Sequence, residues 1–315
     1  MIDLRRLAVL RAVAHHGTVT AAAEALYLTP SGASQQLRAL GRELGVRLLE
    51  QDGRRVRLTA AAQELLVHAD AIEERWEQAE IALRRDGTRP AGLLRLCGPP
   101  SALVALLAPA TARLRAEHPA LTVRITQAES PDGVDQVFSG AADLAVIEAA
   151  VGTPPQTDRR FEQQPLLTDP FDLLVPAGHP FTDRPGPVKL ADAAAEEWVV
   201  EMSDHTSHDH TLAACAAAGF TPDIVHQARE WPAVVALVAN GLGVSLLPRL
   251  AQLPDRSAAV RVPLAGTPPT RHLLTCIRAG TAAQPAIAAA RAALCAVADV
   301  SPARPSPSPD QNRSG

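Results

Sequence analysis

The sequence of 315 residues is short of several residue types, and each shortage limits what the protein can be. Aromatic residues make up 3% of the chain and alanine is abundant, a composition that favours helices. No apolar run approaches the roughly 20 residues that a membrane span needs, so no membrane partner is expected. The N-terminus lacks the apolar segment and cleavage site of a signal peptide, so we expect the protein in the cytoplasm.

Cysteine is also scarce. The chain has four cysteines, which are far apart and include no Cys-x-x-Cys pair: Cys97, Cys215, Cys276 and Cys295. Because the cytoplasm is reducing, we expect unreactive and mostly buried thiols. Hydrophobic residues, in contrast, make up 47% of the chain, which allows a sizeable core in each of about two domains.

Charge is distributed unevenly along the chain. Residues 1–58 contain nine arginines and five acidic residues, a net charge of +4, although the whole chain has a net charge of −4. A small basic segment joined to an acidic body is typical of a DNA-binding module attached to a domain with another role.

The N-terminal segment predicts a winged helix-turn-helix. Apolar residues recur at helical spacing from Leu4, and Gly17 breaks that pattern. Thr20 stands where the N-cap of a second helix is expected. Pro30 suits the first turn of a third helix, which is predicted to run to about Leu44.

A hairpin and a long helix follow. Short strands at 48–50 and 56–58 flank an Asp-Gly turn, and Thr59 then caps a helix that reaches about Arg85. The apolar residues of this helix alternate in steps of four and three, as in a coiled coil. Such a seam can pack on its own domain or pair two protomers, and we favour a dimer because DNA-reading modules usually act in pairs. The seam consists of Leu65, Ala69, Ile72, Trp76, Ala79 and Leu83.

Beyond a hinge at 86–90, strands and helices alternate. A βαβαβ pattern implies a parallel sheet with helices on its faces. The predicted strands are 93–97, 121–126, 144–147, 171–175, 198–202, 224–227, 245–247 and 271–277, and the predicted helices are 101–117, 134–138, 208–218, 232–239 and 285–297.

The third helix presents a polar face opposite its leucines. Gln35 can hydrogen-bond adenine and Arg38 can hydrogen-bond guanine, and Ser31 and Ser34 lie on the same face. Any one of these residues could instead be an ordinary solvated surface residue. That interpretation is less convincing for the whole set.

Four consecutive blocks, at 17–26, 29–40, 43–50 and 53–59, resemble in order and spacing the LysR-type transcriptional regulators. Weaker colinear matches extend the resemblance to about residue 297. It implies a sequence-specific DNA-binding regulator whose DNA binding or activation is modulated by a small-molecule effector. Gly32 and Gln35 depart from the residues usual in the family, which could change base preference. The resemblance and the polar face together assign the DNA contacts to Thr20, Thr29, Pro30, Ser31, Ser34, Gln35, Arg38, Arg54 and Arg55.

The resemblance also implies an architecture. The body is expected to be two Rossmann-like α/β subdomains resembling a periplasmic binding protein, with the effector between them. The partners it implies are dyad-symmetric double-stranded DNA, a second protomer through the linker helix, a homotetramer and, as a further candidate, RNA polymerase. The expected domains are the winged helix-turn-helix at 1–58, the linker helix and hinge at 59–88, the effector-binding domain at 89–300, with subdomain I at about 89–160 and 270–300 and subdomain II at about 161–269, and a disordered tail at 301–315.

Effector contacts are expected where strands end, because ligands of such folds bind at the carboxyl ends of the strands. Each candidate could instead cap a helix or be a surface charge. Three acids near one cleft favour a cationic or polyhydroxylated effector over a dicarboxylate, and no cofactor is expected. At 98–101, the segment Gly98, Pro99, Pro100 and Ser101 offers a helix N-terminus that could bind an anionic group. The other candidates are Glu129, Glu148, Ser203, His205 and Glu230.

Two features suggest other chemistry. Residues 204–210 contain three His and two Asp, which could bind Zn²⁺ or Ni²⁺, but we favour a polar loop that caps a helix through Ser207 and expect no metal site. The segment at Cys215 resembles the resolving-cysteine region of the family's peroxide sensors. Thr206 stands where those sensors place the reactive cysteine, so we expect a buried, inert thiol rather than a disulfide switch.

Other classes of protein fit only part of the chain. A solute-binding protein would explain 89–300 but not the basic N-terminal module, and an architectural DNA-binding protein would not need the body. Salt-dependent retention on heparin separates the first from a regulator, and thermal shifts with metabolites argue against the second. The chain has no P-loop, Gly-x-Ser-x-Gly, His-Glu-x-x-His or Gly-x-Gly-x-x-Gly motif, so no enzymatic activity is expected.

Overall fold

The computed structural model describes residues 3–52, 55–83, 89–150, 152–203, 206–254 and 257–301, without the side chains of 51, 52, 55, 56, 77, 78 and 80–83. Several expectations therefore lie outside the described residues: Arg54, His205, the side chains of Arg55 and Leu83, residues 84–88 of the hinge region and residues 302–315 of the tail.

Three helices form the N-terminal module: α1 (Leu4–His16), α2 (Val19–Ala25) and α3 (Pro30–Leu44). Gly17 and Gly45 end α1 and α3 in the left-handed conformation, as expected from their position after helical patterns. The N-cap of α2 is Thr18, whose Oγ1 accepts a hydrogen bond from the amide of Ala21 at 3.1 Å. The prediction of Thr20 as this cap was wrong. Gly17 turns the chain so sharply that α2 can start two residues earlier, and Thr20 lies inside the helix.

The hairpin and the linker helix complete the module. Strands β1 (Leu49–Asp52) and β2 (Arg55–Leu58) pair antiparallel. Thr59 caps α4 (Ala60–Leu83) by accepting a hydrogen bond from the amide of Ala62 at 3.1 Å. One core joins the helices, and its buried members include Leu10, Leu37, Leu40 and Ala69.

The linker seam is split between two environments. Ala69 is 2% exposed and packs in the core of its own module, while Leu65 packs at the edge of that core. Further along α4, Ile72 is 42% exposed and Trp76 is 52% exposed. The first half of the seam therefore packs on its own chain, and the second half leaves apolar side chains uncovered.

The first half of the body is a sheet covered by helices. Strands β3 (Gly92–Gly98), β4 (Leu121–Gln127) and β5 (Leu144–Glu148) are parallel, with β3 in the middle. The helices of this half are α5 (Pro100–Ala102), which continues through a π-helical turn (Leu103–Leu107) into α6 (Ala108–Glu117), then α7 (Ser130–Ser139) and, from the end of the chain, α10 (Pro285–Asp299).

Two long strands change the expected parallel sheet into a mixed one. Strands β6 (Phe161–Pro176) and β11 (Thr270–Arg278) pair antiparallel with each other, and β11 also pairs antiparallel with β5. Residues 161–170 of β6 were not predicted as a strand, because Pro165 interrupts the pattern. The register shifts beside this residue, which is the irregular position that a proline inside a sheet requires.

The second half of the body begins where β6 leaves β11. The end of β6 pairs with β9 (Ser245–Pro248) and with β10 (Ala259–Val262), a strand that the sequence did not predict. Strands β7 (Glu197–Glu201) and β8 (Asp223–Ala228) form a parallel pair, and the helices are α8 (Thr206–Ala217) and α9 (Trp231–Ala239). Phe171 and Trp198 centre a core here, distinct from the core around Leu94 and Leu144 in the first half.

The module contacts the body through α7. The ring of Phe138 stacks on that of His15 with 4.3 Å between centroids, and the guanidinium of Arg11 lies 5.2 Å from the Phe138 ring centre. His15 Nε2 also lies 2.6 Å from Asp135 Oδ1. Within the described ranges, we find no helix with the length and apolar character to cross a membrane.

Candidate functional site

Helix α3 presents the expected polar face. Leu37 and Leu40 are buried, while Ser31, Gln35 and Arg38 are exposed on the other side. Thr29 caps the helix, since its Oγ1 accepts a hydrogen bond from the amide of Gly32 at 3.1 Å. The buried leucines and the cap together fix the direction in which this polar face points.

An open groove of about 720 Å³ lies beside this face, between α3 and the residues that precede the hairpin. Ser34, Gln35 and Arg38 line it, together with Arg42 and Arg47, which are both exposed. Sequence reasoning had counted these last two arginines in the basic segment without giving them a role. Their charge surrounds the polar face with the positive potential that phosphates require.

One exposed aromatic residue was also missed. Tyr27, in the turn between α2 and α3, is 94% exposed and has φ of 54°. Left-handed backbone is unfavourable for a residue with a bulky side chain. The only sequence signal was its place in a three-residue turn. Thr20 is exposed within α2, and Pro30 is exposed at the start of α3.

A second site lies where the two halves of the body meet. Strand ends and helix starts from both halves line a small cleft with room for about 20 Å³. Five predicted residues line it, namely Pro100, Ser101, Glu129, Glu148 and Glu230. Ser203 is exposed and is not among the lining residues. Pro99, the expected neighbour of Pro100, also lines the cleft. The residues that sequence reasoning missed are Ser130, Glu201, Thr206, Ser207, Arg229, Trp231 and Arg271.

Glu148 connects the two halves across the cleft. It is 2% exposed, Thr206 Oγ1 donates to its Oε2 at 3.2 Å, and His210 hydrogen-bonds its Oε1. Its backbone amide donates to Ser130 Oγ at 2.8 Å. Because Thr206 and His210 belong to α8, these contacts join the two halves of the body.

A buried guanidinium lies beneath Glu148. Arg271 is 3% exposed, and its Nε donates to Asp169 Oδ2 at 2.9 Å. Its Nη2 donates to Ser101 Oγ at 2.8 Å. Ser101 therefore neither caps its helix nor stands free for a ligand, since the N-cap position belongs to Pro99.

Glu201 is the most unusual group in the cleft. It is 5% exposed, and its buried Oε2 has no hydrogen-bond partner in the part of the chain that the structure describes. Burial raises the pKa of this carboxyl to about 8; the hydrogen bond with Ser207 and the charge of Arg271 oppose the shift, and the charges of Glu129 and Glu230 add to it. With this pKa, Glu201 is mostly protonated at pH 7.

The His-rich segment divides its side chains between different partners. His208 Nδ1 lies 2.9 Å from the backbone oxygen of Glu201, whereas His210 binds Glu148. Residues 206–210 are already helical, so the expectation of a polar loop there was wrong. Ser207 bonds the Glu201 carboxyl from within the helix.

Among the described residues, one group has ligand atoms close enough for a metal ion. Ring nitrogens of His15 and His16 and a carboxylate oxygen of Asp135 lie within 4.8 Å of one another. Arg160 Nη1, however, lies 3.2 Å from His15 Nδ1, and its charge opposes a second cation there. We therefore describe the group as a contact between module and body.

Three of the four cysteines have the surroundings of structural thiols. Cys97, Cys215 and Cys276 are buried, and burial raises the pKa of each to about 12. A thiol with such a pKa is almost never a thiolate near neutral pH and is a poor nucleophile. Cys295 is exposed.

Two family descriptions match the chain once these sites are in view. "Bacterial regulatory helix-turn-helix protein, lysR family" matches residues 4–63, and "LysR substrate binding domain" matches residues 87–298. The chain therefore belongs to the LysR family of DNA-binding transcriptional regulators, with an effector-binding domain after its helix-turn-helix.

Individual relatives agree with this assignment. A probable hydrogen peroxide-inducible genes activator of Mycobacterium avium is 32% identical over 259 residues, which cover 81% of this chain and 80% of that protein. A full-length OxyR variant from Pseudomonas aeruginosa has a TM-score of 0.65 at 22% identity, covering 95% of this chain and 97% of that one. Full-length CbnR, solved with its target DNA, has a TM-score of 0.54 at 23% identity, covering 94% and 100%. The two structures show the fold.

Proposed function

We propose that this regulator chooses its DNA sequence through Ser31, Ser34, Gln35 and Arg38, and gains sequence-independent affinity from the surrounding arginines. The observation that carries this proposal is the exposed polar face of α3, held in place by the Thr29 cap and the buried leucines. Base contacts specify a sequence, whereas phosphate contacts mainly position the protein. Thr20, Pro30 and the hairpin arginines Arg54 and Arg55 complete the proposed surface.

We further propose that two protomers pair through the linker helix and that pairs assemble into a tetramer on dyad-symmetric DNA. The exposed side chains of Ile72 and Trp76 support pairing, because apolar residues adjacent on a helix surface gain by mutual burial. CbnR, of the same fold, has been solved on its target DNA. RNA polymerase is a further proposed partner. Since such a protein acts where the DNA is, we place it in the cytoplasm.

The cleft between subdomains I and II is the proposed effector site, without a cofactor and without an enzymatic reaction. Its polar residues come from both halves of the body, so a ligand there would change how the halves meet. The Mycobacterium avium relative is named for induction by hydrogen peroxide. We propose another trigger for this chain, because Thr206 offers no thiol and Cys215 is buried with a raised pKa.

Fluorescence anisotropy tests the DNA proposal. The probe is duplex DNA from immediately upstream of the protein's own gene, compared with shuffled DNA over a salt series. Gln35→Ala is expected to weaken binding to the cognate duplex by about 1–3 kcal/mol and to random DNA much less. Gln63→Ala, an exposed change on α4, is the matched control. An equal loss of affinity for both duplexes would contradict the role of Gln35. If the protein bound neither duplex at low salt, the interpretation as a solute-binding protein would be favoured instead.

A further inference from the structure

The cleft concentrates acidic side chains. Glu129, Glu148, Glu201 and Glu230 line it, whereas Arg229 and Arg271 are the guanidinium groups among its described lining residues. Arg271 is already engaged by Asp169 and Ser101. Carboxyl groups therefore outnumber the positive charges around this small space.

Two of these carboxylates stand where an anionic ligand would otherwise bind. The N-termini of α7 and α9 border the cleft at Ser130 and Trp231, and helix N-termini attract anions. Glu129 and Glu230 are the residues at the N-cap positions of these two helices, and neither side chain makes a capping hydrogen bond. The protein's own charges thus neutralise these two helix ends, which makes them poor sites for an anionic ligand.

The buried carboxyl of Glu201 supplies an independent sign of a missing partner. Glu201 lines the cleft and is 5% exposed, and none of the described residues hydrogen-bonds its buried Oε2. A buried polar atom left unpaired is destabilising, and each such atom in a native protein calls for an explanation. A cationic donor in the cleft would satisfy this oxygen and also offset the negative charge of the neighbouring carboxylates.

We propose that the effector of this regulator is a compact organic cation whose ammonium group binds Glu201 Oε2, with Glu129 and Glu230 as further charge partners. The inference rests on the proposed effector role of the cleft. The room of about 20 Å³ suits one group of roughly the size of a water molecule, so the rest of a longer ligand would extend past the exposed Glu230. Trp231 also lines the cleft, and indole rings attract cations.

Proton release gives this binding a distinctive signature. Glu201 is mostly protonated at pH 7, and a bound ammonium group favours its ionised form. Binding at pH 7 should therefore release close to one proton, and the affinity should increase as the pH rises from 6 to 8. A ligand that met a carboxylate already ionised would release none.

Isothermal titration of the full chain with four probes tests the proposal. The probes are 1,4-diaminobutane, 1,4-butanediol and succinate, which share a four-carbon chain but differ in charge, and methylammonium as an isolated ammonium group. Titrations at pH 7 in two buffers of different ionisation enthalpy count the protons. We expect the diamine to bind at least tenfold more tightly than the diol or succinate, with proton release. Glu201→Gln should remove both the tight binding of the diamine and the proton release. Glu117→Gln, on the exposed surface of α6, should change neither of these quantities.

Each other outcome has a definite meaning. Tighter binding of succinate, or no binding of either amine, would overturn the cationic effector. Mg²⁺ is titrated separately as a control cation. Equal binding of Mg²⁺ and the diamine would also overturn the proposal, by pointing to a metal site or to unselective charge attraction. Anisotropy on the upstream duplex, measured on the same preparations, separates this inference from the regulator proposal. Specific DNA binding without amine binding would refute only the proposal of a cationic effector. Amine binding without DNA binding would refute only the regulator proposal. Retained DNA binding by Glu201→Gln would show that the variant is folded.

Discussion

Replacing Glu201 by glutamine should make the protein more stable, and the gain should depend on pH. The pKa of this carboxyl lies near 8 in the folded protein against an ordinary value of 4.5, mainly because it is buried. Between these two values the folded state keeps a proton that the unfolded chain has lost. The native state therefore binds more protons, and stability falls as the pH rises through this window. Glutamine resembles the protonated carboxyl in shape but does not titrate.

The size of the effect follows from the same two pKa values. One unit corresponds to about 1.4 kcal/mol, so a shift from 4.5 to about 8 amounts to about 3 kcal/mol at pH 7 and about 4–5 kcal/mol above pH 8. Solvent screening should reduce these free energies little, because the side chain is almost completely shielded from water. At pH 7 the gain would raise the melting temperature by about 6–12 °C in a domain of this size.

Urea denaturation of the wild type and of Glu201→Gln between pH 5 and pH 8.5 is the appropriate assay. The two proteins should differ little at pH 5 and diverge steadily above it. Glu117→Gln is the control, because Glu117 is exposed and pairs with Arg113 on the surface of α6. Its effect should stay within about 0.5 kcal/mol at every pH. A difference between wild type and Glu201→Gln that did not change with pH would refute the burial argument. No ligand is involved, so the result does not depend on the effector's identity.

Two further predictions concern the N-terminal module. Thr18→Ala should destabilise it by about 1 kcal/mol because the cap of α2 is lost, whereas Thr20→Ala should have almost no effect; thermal unfolding would decide, and equal losses would contradict the assignment of the cap. Phe138→Ala should lose about 1–3 kcal/mol and speed hydrogen exchange at the end of α1, where His15 stacks on the ring; unchanged exchange would argue against this contact.

The elements of the fold that depend on local chemistry were predictable from sequence. Thr59, Gly17 and Gly45 mark helix ends by hydrogen bonds and backbone conformations that involve only nearby residues. The assignment failed at Thr18, where two threonines two residues apart offer the same cap. A local pattern cannot choose between them without knowing how Gly17 turns the chain.

The cleft was only half predictable, for a related reason. Glu129, Glu148 and Glu230 follow or end strands, so the rule that ligands bind at strand ends found them. Glu201 ends β7, but the predicted strand ran one residue further, so the candidates began after it. Arg271 reaches the cleft from a strand far along the chain from its partner Ser101, and nothing in the local sequence indicates that pairing.

One short helix connects the cleft with the N-terminal module. The first residue of α7, Ser130, lines the cleft and hydrogen-bonds Glu148, while Phe138 near its other end packs against the N-terminal module. The helix has 10 residues and spans about 15 Å, and its backbone hydrogen bonds make it a stiff connection. A force on Glu129 at its N-cap must therefore move the helix as a unit or be resisted by the sheet beneath it. In both cases, the same helix connects the charges of the cleft with the surface on which the N-terminal module packs.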